Sequence, residues 1–369
     1  MTFPQLPTTI DNIDACQWQT FQPYFEHLQQ RDITPDNVAA WLTDWSGLAA
    51  VLWEAAAWIY IQKAIDTRDE TAEEAFITFM NDVIPPAQVA DQALKEKLLA
   101  LPFDLGSLPD MDLVLRDMRN AAELFRAENV SLKTKLSELS NEYDKITGAL
   151  EAGWDGEQQN LSQLSVHLRN KDRAVRERAW RLTMDLWQSV RGDLNTLYTQ
   201  MLDLRQQVAT NAGFYDYRAY AFRQYGRFDY TPDDCLTFHQ AIEDVVVPAA
   251  RRIYARKQAA LGLDSLRPWD TLVDTSPQPP LKPYQGQDEL IQSAINIFNR
   301  VDPVLGRHMA TMAEESLLDL DTRSGKALGG FCSTLPLRQR PFIFMNGVGI
   351  HDDVQTMLHE AGHAFHVFE

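Results

Sequence analysis

The chain has 369 residues, 45% of them hydrophobic, and a formal net charge of −18. This size and apolar content predict a globular protein large enough for two packed lobes and exclude a globally disordered chain. The negative charge argues against nucleic acid as a partner and offers nothing to an anionic membrane surface, whereas positively charged or neutral peptides remain acceptable. Three widely separated cysteines, Cys16, Cys235 and Cys332, predict neither a disulfide framework nor a cysteine metal site, so we expect a cytoplasmic protein.

The N-terminal residues contain no basic stretch followed by an apolar one, so a signal peptide is not expected. Residues 47–61 form the most apolar window of the chain. This window contains Glu54 and is shorter than the ~20 residues that a membrane span requires. It therefore predicts a buried helix, and no membrane partner is expected.

Helical periodicity dominates the first part of the chain. Thr34 and Pro35 are a suitable cap and first-turn pair, and the periodicity continues from them to a break predicted at residues 85–86, which are both proline. Residues 110–152 are rich in Leu, Glu, Lys, Arg and Ala, which predicts an extended helix or a helix pair. The glycines within residues 153–156 predict a turn after it.

Helices are also expected in the middle of the chain. Residues 160–212 are helical in pattern, and the charges of residues 172–181 recur at helical spacing, which favours a solvated face with i to i+4 ion pairs. The next helix contains Pro248, which should kink or divide it. Residues 268–287 are rich in proline and have no helical period, so they predict a linker or an irregular surface segment. Residues 291–318 return to a helical pattern.

The only convincing strand signals come just before the last helix. Residues 329–335 and 341–346 are β-prone and are separated by a short connection, which predicts a hairpin. Gly347 and Gly349 then turn the chain into the final helix. A strand beside that helix could present backbone N–H and C=O groups to an extended peptide, which would add as one more strand. The two glycines that open the first run could instead form a simple turn.

The final segment contains the motif His359-Glu360-Ala361-Gly362-His363. Two histidines four residues apart lie on one face of an α-helix, about 6 Å apart along its axis, so both imidazoles can reach one metal ion. Glu360 lies beside that face and could accept a proton from a metal-bound water. The pattern predicts half of a zinc hydrolase site.

An amphipathic setting supports the motif. Apolar residues recur at helical spacing and predict a buried stripe made of Val354, Met357, Leu358, Ala361, Phe365 and Phe368. Asp352 or Asp353 can cap the helix, and Gln355 is placed to complete a capping box with Asp352. A buried helix with two histidines and a glutamate needs partners for them, because unpaired polar groups in a core are costly. Metal binding supplies such a partner, and hydrogen bonds to neighbouring residues are the alternative.

Catalytic zinc usually takes three protein ligands and one water, and the motif supplies only two. His366 lies on the same side but about 10 Å from His359 along the axis, too far for three histidines to bind one ion. It is expected to support the ligands, to line the cleft or to be a core histidine. Glu369 would point away from the histidines in a continuing helix, and a self-contained site that uses it is a further alternative. The third ligand is therefore expected outside this sequence.

Several segments of the chain resemble the M3 metallopeptidases of the oligoendopeptidase F type, namely residues 329–332, 340–346, 353–366, 215–218 and 228–233. The motif of that family is H-E-x-G-H-x-x-H, and Gly362 and His366 match its two additional positions. The resemblance implies a mainly α, two-lobed zincin-like fold with a small β-hairpin or sheet next to the metal helix. It also implies a deep channel that admits short peptides and excludes folded proteins.

The same resemblance implies residue roles. His359 and His363 would bind one Zn²⁺ ion, and Glu360 would act as general base and acid. The third ligand of the family is a glutamate that follows the motif, and this sequence ends before it. The expected function is therefore that of a zinc-dependent endopeptidase for short peptides, of which this sequence is the N-terminal portion.

The expected organisation is a helical N-terminal lobe in residues 1–200 and an incomplete catalytic domain in residues 201–369. The candidate substrate-binding residues are Gly329, Gly330, Phe331, Cys332 and His366. The alternative function is a catalytically inactive helical fragment, or a peptide-binding module that binds metal weakly, because two histidines hold zinc less firmly than three ligands.

Overall fold

A computed structural model of the chain describes residues 2–103, 105 and 111–369. The fold is mainly helical with short strands, and a small hairpin lies beside the last helix, as the sequence predicts. The helical region expected from residue 110 starts outside the described residues, and its first helix is described from Met111 onward.

Helices make up most of the chain. In chain order they are α1 (Gln22–Gln30), α2 (Val38–Ile65), α3 (Glu70–Thr78), α4 (Ile84–Leu99), α5 (Met111–Leu124), α6 (Glu128–Gly148), α7 (Leu161–Val166), α8 (Arg173–Ser189), α9 (Arg191–Asn211), α10 (Tyr217–Gln224), α11 (Pro232–Ala241), α12 (Val247–Ala260), α13 (Gln287–Val301), α14 (Pro303–Glu314) and α15 (His351–Phe368). The strands are β1 (Glu151–Trp154), β2 (Glu157–Asn160), β3 (Leu318–Asp321), β4 (Phe331–Leu335) and β5 (Arg340–Gly347).

Helix α2 connects the two main hydrophobic cores. Trp41, Leu48 and Val51 are buried in a cluster built from residues 10–115, whereas Ile61 is buried in a second cluster with the strands and α15. Among the helices of the described residues, α2 is the one long and apolar enough to cross a membrane by length and composition. A core helix meets the same criterion. The buried helix predicted for residues 47–61 is thus the middle of a longer core helix.

The predicted boundaries at two ends of the N-terminal helices are wrong. Thr34 does not cap α2, because the helix begins at Val38 and its N-cap residue is Asn37. Pro85 and Pro86 do not interrupt the helical region. They occupy the first turn of α4, where the N–H group that proline lacks would have no partner within the helix. A π turn (Phe79–Val83) joins α3 to α4 instead.

The division expected at Pro248 is confirmed. A π turn (Ile242–Val246) separates α11 from α12, and Pro248 lies in the first turn of α12. A π turn also comes before Pro85. In both places the π turn accommodates carbonyl groups that have no N–H donor, because proline lacks one.

The hairpin β1–β2 is missing from the sequence prediction, which placed only a turn at residues 153–156. Asp155 and Gly156 both have positive φ, 50° and 96°, as the tight hairpin turn between the strands requires. The strands are short and mostly polar, so they carry no alternating apolar pattern. Trp154 and Asn160 are their buried residues, and the Trp154 ring stacks on the imidazole of His167 at 4.1 Å and contacts the guanidinium of Arg178 at 4.0 Å.

The helical pattern predicted for residues 291–318 ends too late. Helix α14 stops at Glu314, Ser316 turns the chain with a φ of 57°, and β3 starts at Leu318. Strand β3 pairs parallel to β5, and β5 pairs antiparallel to β4, so the sheet order is β3-β5-β4. The hairpin predicted from residues 329–335 and 341–346 is confirmed as β4 and β5.

Buried charges hold this sheet in place. Lys326 is buried, and its Nζ donates hydrogen bonds to the carbonyls of Asp319 and Met345 at 3.1 and 2.6 Å and to the Asp319 carboxylate. Burial lowers the pKa of Lys326 to about 8, although the charge of Asp319 opposes that shift. On the opposite side, the buried carboxylate of Glu54 in α2 accepts hydrogen bonds from N and Nε of Arg338 in the turn between β4 and β5, at 2.9 and 2.7 Å.

The solvated face predicted for residues 172–181 is only partly correct. Arg181 does pair with Glu177 four residues earlier, but Arg176 is buried and binds Asp270 at 2.7 Å. Asp270 lies within the proline-rich segment 268–287, is fully buried, and also binds Arg173 at 2.8 Å. That segment is irregular, as predicted, but ionic hydrogen bonds attach it to α8. Burial alone would raise the pKa of Asp270, yet the bonds from Arg173 and Arg176 lower it to about 2.

We predict that Asp270→Asn lowers the free energy of unfolding by about 3 kcal/mol at pH 7, because it leaves Arg176 buried without its counter-charge. The pKa of Asp270 is about 2 in the fold and near 3.8 in the unfolded chain, so its charge stabilises fully above pH 4. The wild-type advantage should shrink by about 2 kcal/mol as the pH falls from 4 to 2. Urea titrations at several pH values measure it.

The matched control is Asp155→Asn, which breaks the exposed ion pair with Arg178 and should cost less than about 1 kcal/mol at every pH. A pH-independent difference between wild type and Asp270→Asn would contradict the assigned role of this carboxylate.

Candidate functional site

Helix α15 buries one face in the second core and opens the other. Met357, Ala361 and Ala364 are fully buried, and Phe365 is nearly so. Of the predicted apolar stripe, these positions and the partly buried Val354, Leu358 and Phe368 agree with the structure. Helical geometry then directs His359 and His363 to the exposed side.

The carboxylate of Asp353 fixes the start of α15. Its Oδ2 accepts hydrogen bonds from the Val348 and Ile350 N–H groups, both at 2.9 Å, and from the Tyr284 hydroxyl at 2.6 Å. The Tyr284 hydroxyl in turn accepts the Gly349 N–H at 3.1 Å. Asp353 is therefore the capping residue, acting from inside the first turn. Burial and the bond to Asp353 raise the pKa of Tyr284.

Asp352 and Gln355 do not form the capping box that the sequence predicts. Asp352 pairs with Arg169 at 2.5 Å, and the Gln355 amide lies 3.0 Å from His351 Nε2. Gly347 allows the Tyr284 hydroxyl to approach the backbone before α15, because a Cβ at position 347 would lie 2.7 Å from that hydroxyl. The proline-rich segment thus reaches the metal motif through one buried side chain.

The two motif histidines converge. Their Nε2 atoms lie 3.3 Å apart, with the rings nearly perpendicular, and both side chains are exposed on the open side of α15. Two nitrogens that each lie ~2.0–2.1 Å from one tetrahedral ion are about 3.3–3.4 Å apart. The pair His359 and His363 therefore fits two corners of a zinc site.

No group of three or more His, Cys, Asp or Glu is placed to hold a metal ion within the described residues. The helix continues without interruption to Phe368, as expected from the lack of a glycine after His363, and Glu369 follows it. The donor set at the site is two imidazoles, which suit zinc better than magnesium or calcium.

Glu360 lines a cleft beside α15 but is largely buried, with 8% of its surface exposed. Its carboxylate makes no hydrogen bond to another side chain or backbone group of the described residues. Cys332 of β4 is near, since burial and the negative charge of Glu360 together raise the pKa of that thiol to about 12.

The cleft beside α15 has a volume of about 740 Å³. Its lining contains Glu360 and His363 together with most of the candidate substrate residues, namely Gly330, Phe331, Cys332 and His366. His366 is exposed and is therefore not a core histidine. Gly329 does not line the cleft; it has a φ of 93°, and its carbonyl accepts a hydrogen bond from Asn346 at 2.9 Å. It is a turn residue that precedes β4.

Other walls of the cleft were not predicted from the sequence. Thr334, Pro336 and Gln339 line it from the hairpin, and Val367 lines it from α15. The hairpin was recognised, but nothing in a β-prone run tells which strand is at the edge of the sheet. The parallel partner β3, which was not predicted, decides that β4 is the edge strand.

Strand β4 directs its free backbone groups outward at alternate residues. Pro341, which has no N–H, lies opposite Thr334, and the Ile343 N–H, opposite Cys332, donates to the Leu317 carbonyl on the far side of β5. Neither pair can therefore exchange the two hydrogen bonds of a bonded antiparallel pair. It follows that Cys332 and Thr334 present their N–H and C=O groups at the open edge.

We predict that Tyr284→Phe lowers the free energy of unfolding by about 1–3 kcal/mol, because the Gly349 N–H and one Asp353 lone pair lose a buried partner. Amide hydrogen exchange at Gly349 and Ile350 should quicken more than exchange elsewhere. Tyr198→Phe, on an exposed tyrosine, is the control and should leave both measurements unchanged. Equal exchange rates in wild type and Tyr284→Phe would contradict the anchoring role.

Two family models match the chain. Peptidase family M3 matches residues 166–369, and the peptidase M3 N-terminal domain matches residues 5–105. No curated protein sequence matches the chain.

Solved structures share the fold at low sequence identity. A structure described as an oligoendopeptidase F from Bacillus anthracis str. Ames is 22% identical to this chain and has a TM-score of 0.88. The match covers 94% of this chain and 64% of that structure. A second structure described as an oligoendopeptidase F is 23% identical and has a TM-score of 0.91. The match covers 98% of this chain and 64% of that structure. PZ peptidase A with an inhibitor is 24% identical and has a TM-score of 0.89. The match covers 99% of this chain and 64% of that structure. The chain spans 64% of the length of these structures. The peptidase family M3 model covers more than half of the chain, including the whole of the motif helix, and the chain therefore belongs to peptidase family M3.

Proposed function

We propose that the chain carries the metal-binding and peptide-binding elements of a zinc-dependent endopeptidase that cleaves short peptides. The observation that carries the proposal is the convergence of the His359 and His363 Nε2 atoms at 3.3 Å, where His363 lines the cleft that also holds Glu360. Membership in a peptidase family agrees with it.

His359 and His363 would hold the ion as neutral imidazoles, each through Nε2. Bound zinc would lower the pKa of a water molecule and polarise the peptide carbonyl. The remaining protein ligand is proposed to come from beyond the residues of this sequence.

Glu360 is proposed as the proton carrier. Its carboxylate would accept the proton of the attacking water and then give it to the nitrogen that leaves as the peptide bond breaks. Its low exposure supports this role, because a carboxylate shielded from bulk water keeps the proton within the reacting groups. Its position one residue after His359 places it beside the two imidazoles.

The substrate is proposed to lie along the open edge of β4 as an added strand. The outward N–H and C=O groups of Cys332 and Thr334 would pair with the peptide backbone, which gives affinity without sequence preference. Gly330 and Phe331 precede them along the edge, and His366 faces the same cleft from α15. Gly329 would shape the entry to the strand.

The proposed organisation remains two lobes, residues 1–200 and 201–369, in a cytoplasmic protein. One hydrophobic cluster is built from residues 10–115, and the other takes most of its side chains from residues 284–365, which supports two packing units. Helix α2 contributes to both clusters, so it would form the connection between the lobes.

A second candidate function is a peptide-binding module that binds metal weakly and does not catalyse. The observation that favours it is that the described residues place two histidines, and no third metal-binding side chain, at the site. Peptide binding along β4 is common to both functions, and turnover separates them.

We predict that the chain binds zinc and that His359→Ala or His363→Ala weakens binding at least tenfold, because each removes one of two protein ligands. Competition with a chromophoric chelator measures the affinity. His351→Ala, on an exposed histidine in the first turn of the same helix, should leave the affinity unchanged. Equal loss in all three variants would show that α15 merely unfolds or that zinc binds elsewhere.

We predict that any cleavage of internally quenched peptides by the zinc-supplemented chain is slowed about 10³-fold in kcat by Glu360→Gln while zinc affinity is kept, because the proton carrier is lost. Glu369→Gln, on the exposed glutamate at the end of the same helix, is the matched control and should retain rate and affinity. Loss of zinc in that variant would support the self-contained site instead. Peptide binding by wild type without any turnover would favour the second candidate.

A further inference from the structure

The sheet is covered differently on its two faces, and β4 lies between the two coverings. Helix α2 packs on one face of β4 and helix α15 packs on the other. Ser333 faces α2, since it lines the cleft on that side, whereas Cys332 lines the cleft beside α15. Successive residues of a strand point to opposite faces, which accounts for this alternation.

A second cleft lies between α2 and β4, with a volume of about 640 Å³. Helix α2 contributes its wall through Trp53 and Tyr60 and through four small residues, Ala49, Ala50, Ala56 and Ala57. Trp53 is 63% exposed and Tyr60 is 39% exposed, although both belong to the long core helix. Seven residues separate the two rings along α2, which is two turns or about 10 Å. Ala56 and Ala57 lie between the two rings along α2, and Ala49 and Ala50 lie about one turn before Trp53; together these small side chains keep the cleft open beside the two rings.

The two clefts are continuous along the edge of β4, since Thr334 and Pro336 line both of them. None of the side chains that line the α2 cleft carries a charge. Glu54, the neighbour of Trp53, is turned inward and is held by Arg338. The α2 cleft is therefore apolar and aromatic, whereas the α15 cleft contains the carboxylate and the imidazoles.

A peptide added to the edge of β4 must place its side chains alternately on the two sides of the sheet. If one residue faces Glu360, the residues before and after it face α2. We propose that the α2 cleft is a specificity subsite that receives an apolar, preferably aromatic, side chain of such a peptide, next to the residue that faces α15. The proposal rests on the proposed peptide binding along β4 and adds to it the substrate class.

Trp53 and Tyr60 would contact the guest ring on both sides. Aromatic pairs add stabilisation beyond the apolar area that they remove from water, and the exposed rings of Trp53 and Tyr60 have that area to lose. Ala50 would provide space rather than contact. A larger residue at position 50 should therefore exclude the guest, whereas Phe at position 53 should still accept it.

The test measures binding by the full chain with Glu360→Gln, so that no peptide is cut. Two fluorescein-labelled heptapeptides of the same composition carry N-methyl groups on alternate residues, which leaves one set of N–H groups to pair with β4 and so fixes which side chains share a face. One isomer has a single Phe on an N-methylated residue, and the other has it on an adjacent free N–H residue. Fluorescence anisotropy gives the two affinities.

We expect the isomers to differ about tenfold in affinity, because only one directs Phe into the α2 cleft. The difference should fall below about threefold in Trp53→Ala and in Ala50→Phe and persist in Trp53→Phe. Tyr198→Ala, which removes an exposed tyrosine of α9, is the matched control and should also keep the tenfold difference between the isomers. Thermal melts confirm that each variant is folded.

The remaining outcomes separate the inference from the function on which it rests. Thr334→Pro removes an outward N–H without touching the pairing with β5 and should weaken both isomers equally. If neither isomer binds, or if Thr334→Pro has no effect, the proposed binding along β4 fails and the subsite fails with it. If both bind and Thr334→Pro weakens them, but Trp53→Ala and Ala50→Phe leave their ratio unchanged, the subsite alone is overturned.

Discussion

The Asp353 carboxylate joins three stretches of the chain: the proline-rich segment through Tyr284, the end of β5 through Val348, and the first turn of α15 through Ile350. A helix whose first turn is held in this way cannot rotate about its axis. Met357 and Ala361 are therefore kept against the sheet, and the convergence of His359 and His363 in the cleft follows from that rotation. The candidate chemistry of the chain depends on one buried acceptor and its three donors.

Other buried charges attach to one another the elements that surround the two clefts. Glu54 and Arg338 hold α2 over the turn of the hairpin, and Lys326 joins β3 to β5 from within. Each of these groups would be costly to bury alone, so each is satisfied by several hydrogen bonds. The edge of β4 is consequently framed by two helices that are both attached to the same small sheet. A rigid frame of this kind is what a site needs if it is to align an extended peptide with a proton carrier.

Elements with a strong local pattern are predictable from the sequence. The stripe of α15 has a helical period, the hairpin β4–β5 has two β-prone runs with a short connection, and Pro248 divides its helix as its missing N–H requires. Strands β1 and β2 escaped prediction because they are short and mostly polar, and β3 because its four alternating residues directly follow a helical pattern. The charges around Arg176 suggested a solvated face, because the partner Asp270 is far along the chain.

The sequence alone determined the spacing of His359, Glu360 and His363, because a helix converts a distance of four residues into one shared face. It also determined membership in the family, since the motif and the segments around it are local strings of residues. Only the tertiary structure decided that β4 is an edge strand, that Asp353 rather than Asp352 caps the helix, and that Trp53 faces the free edge. The physical reason is that these features arise from contacts between distant segments, and such contacts leave no period in the sequence.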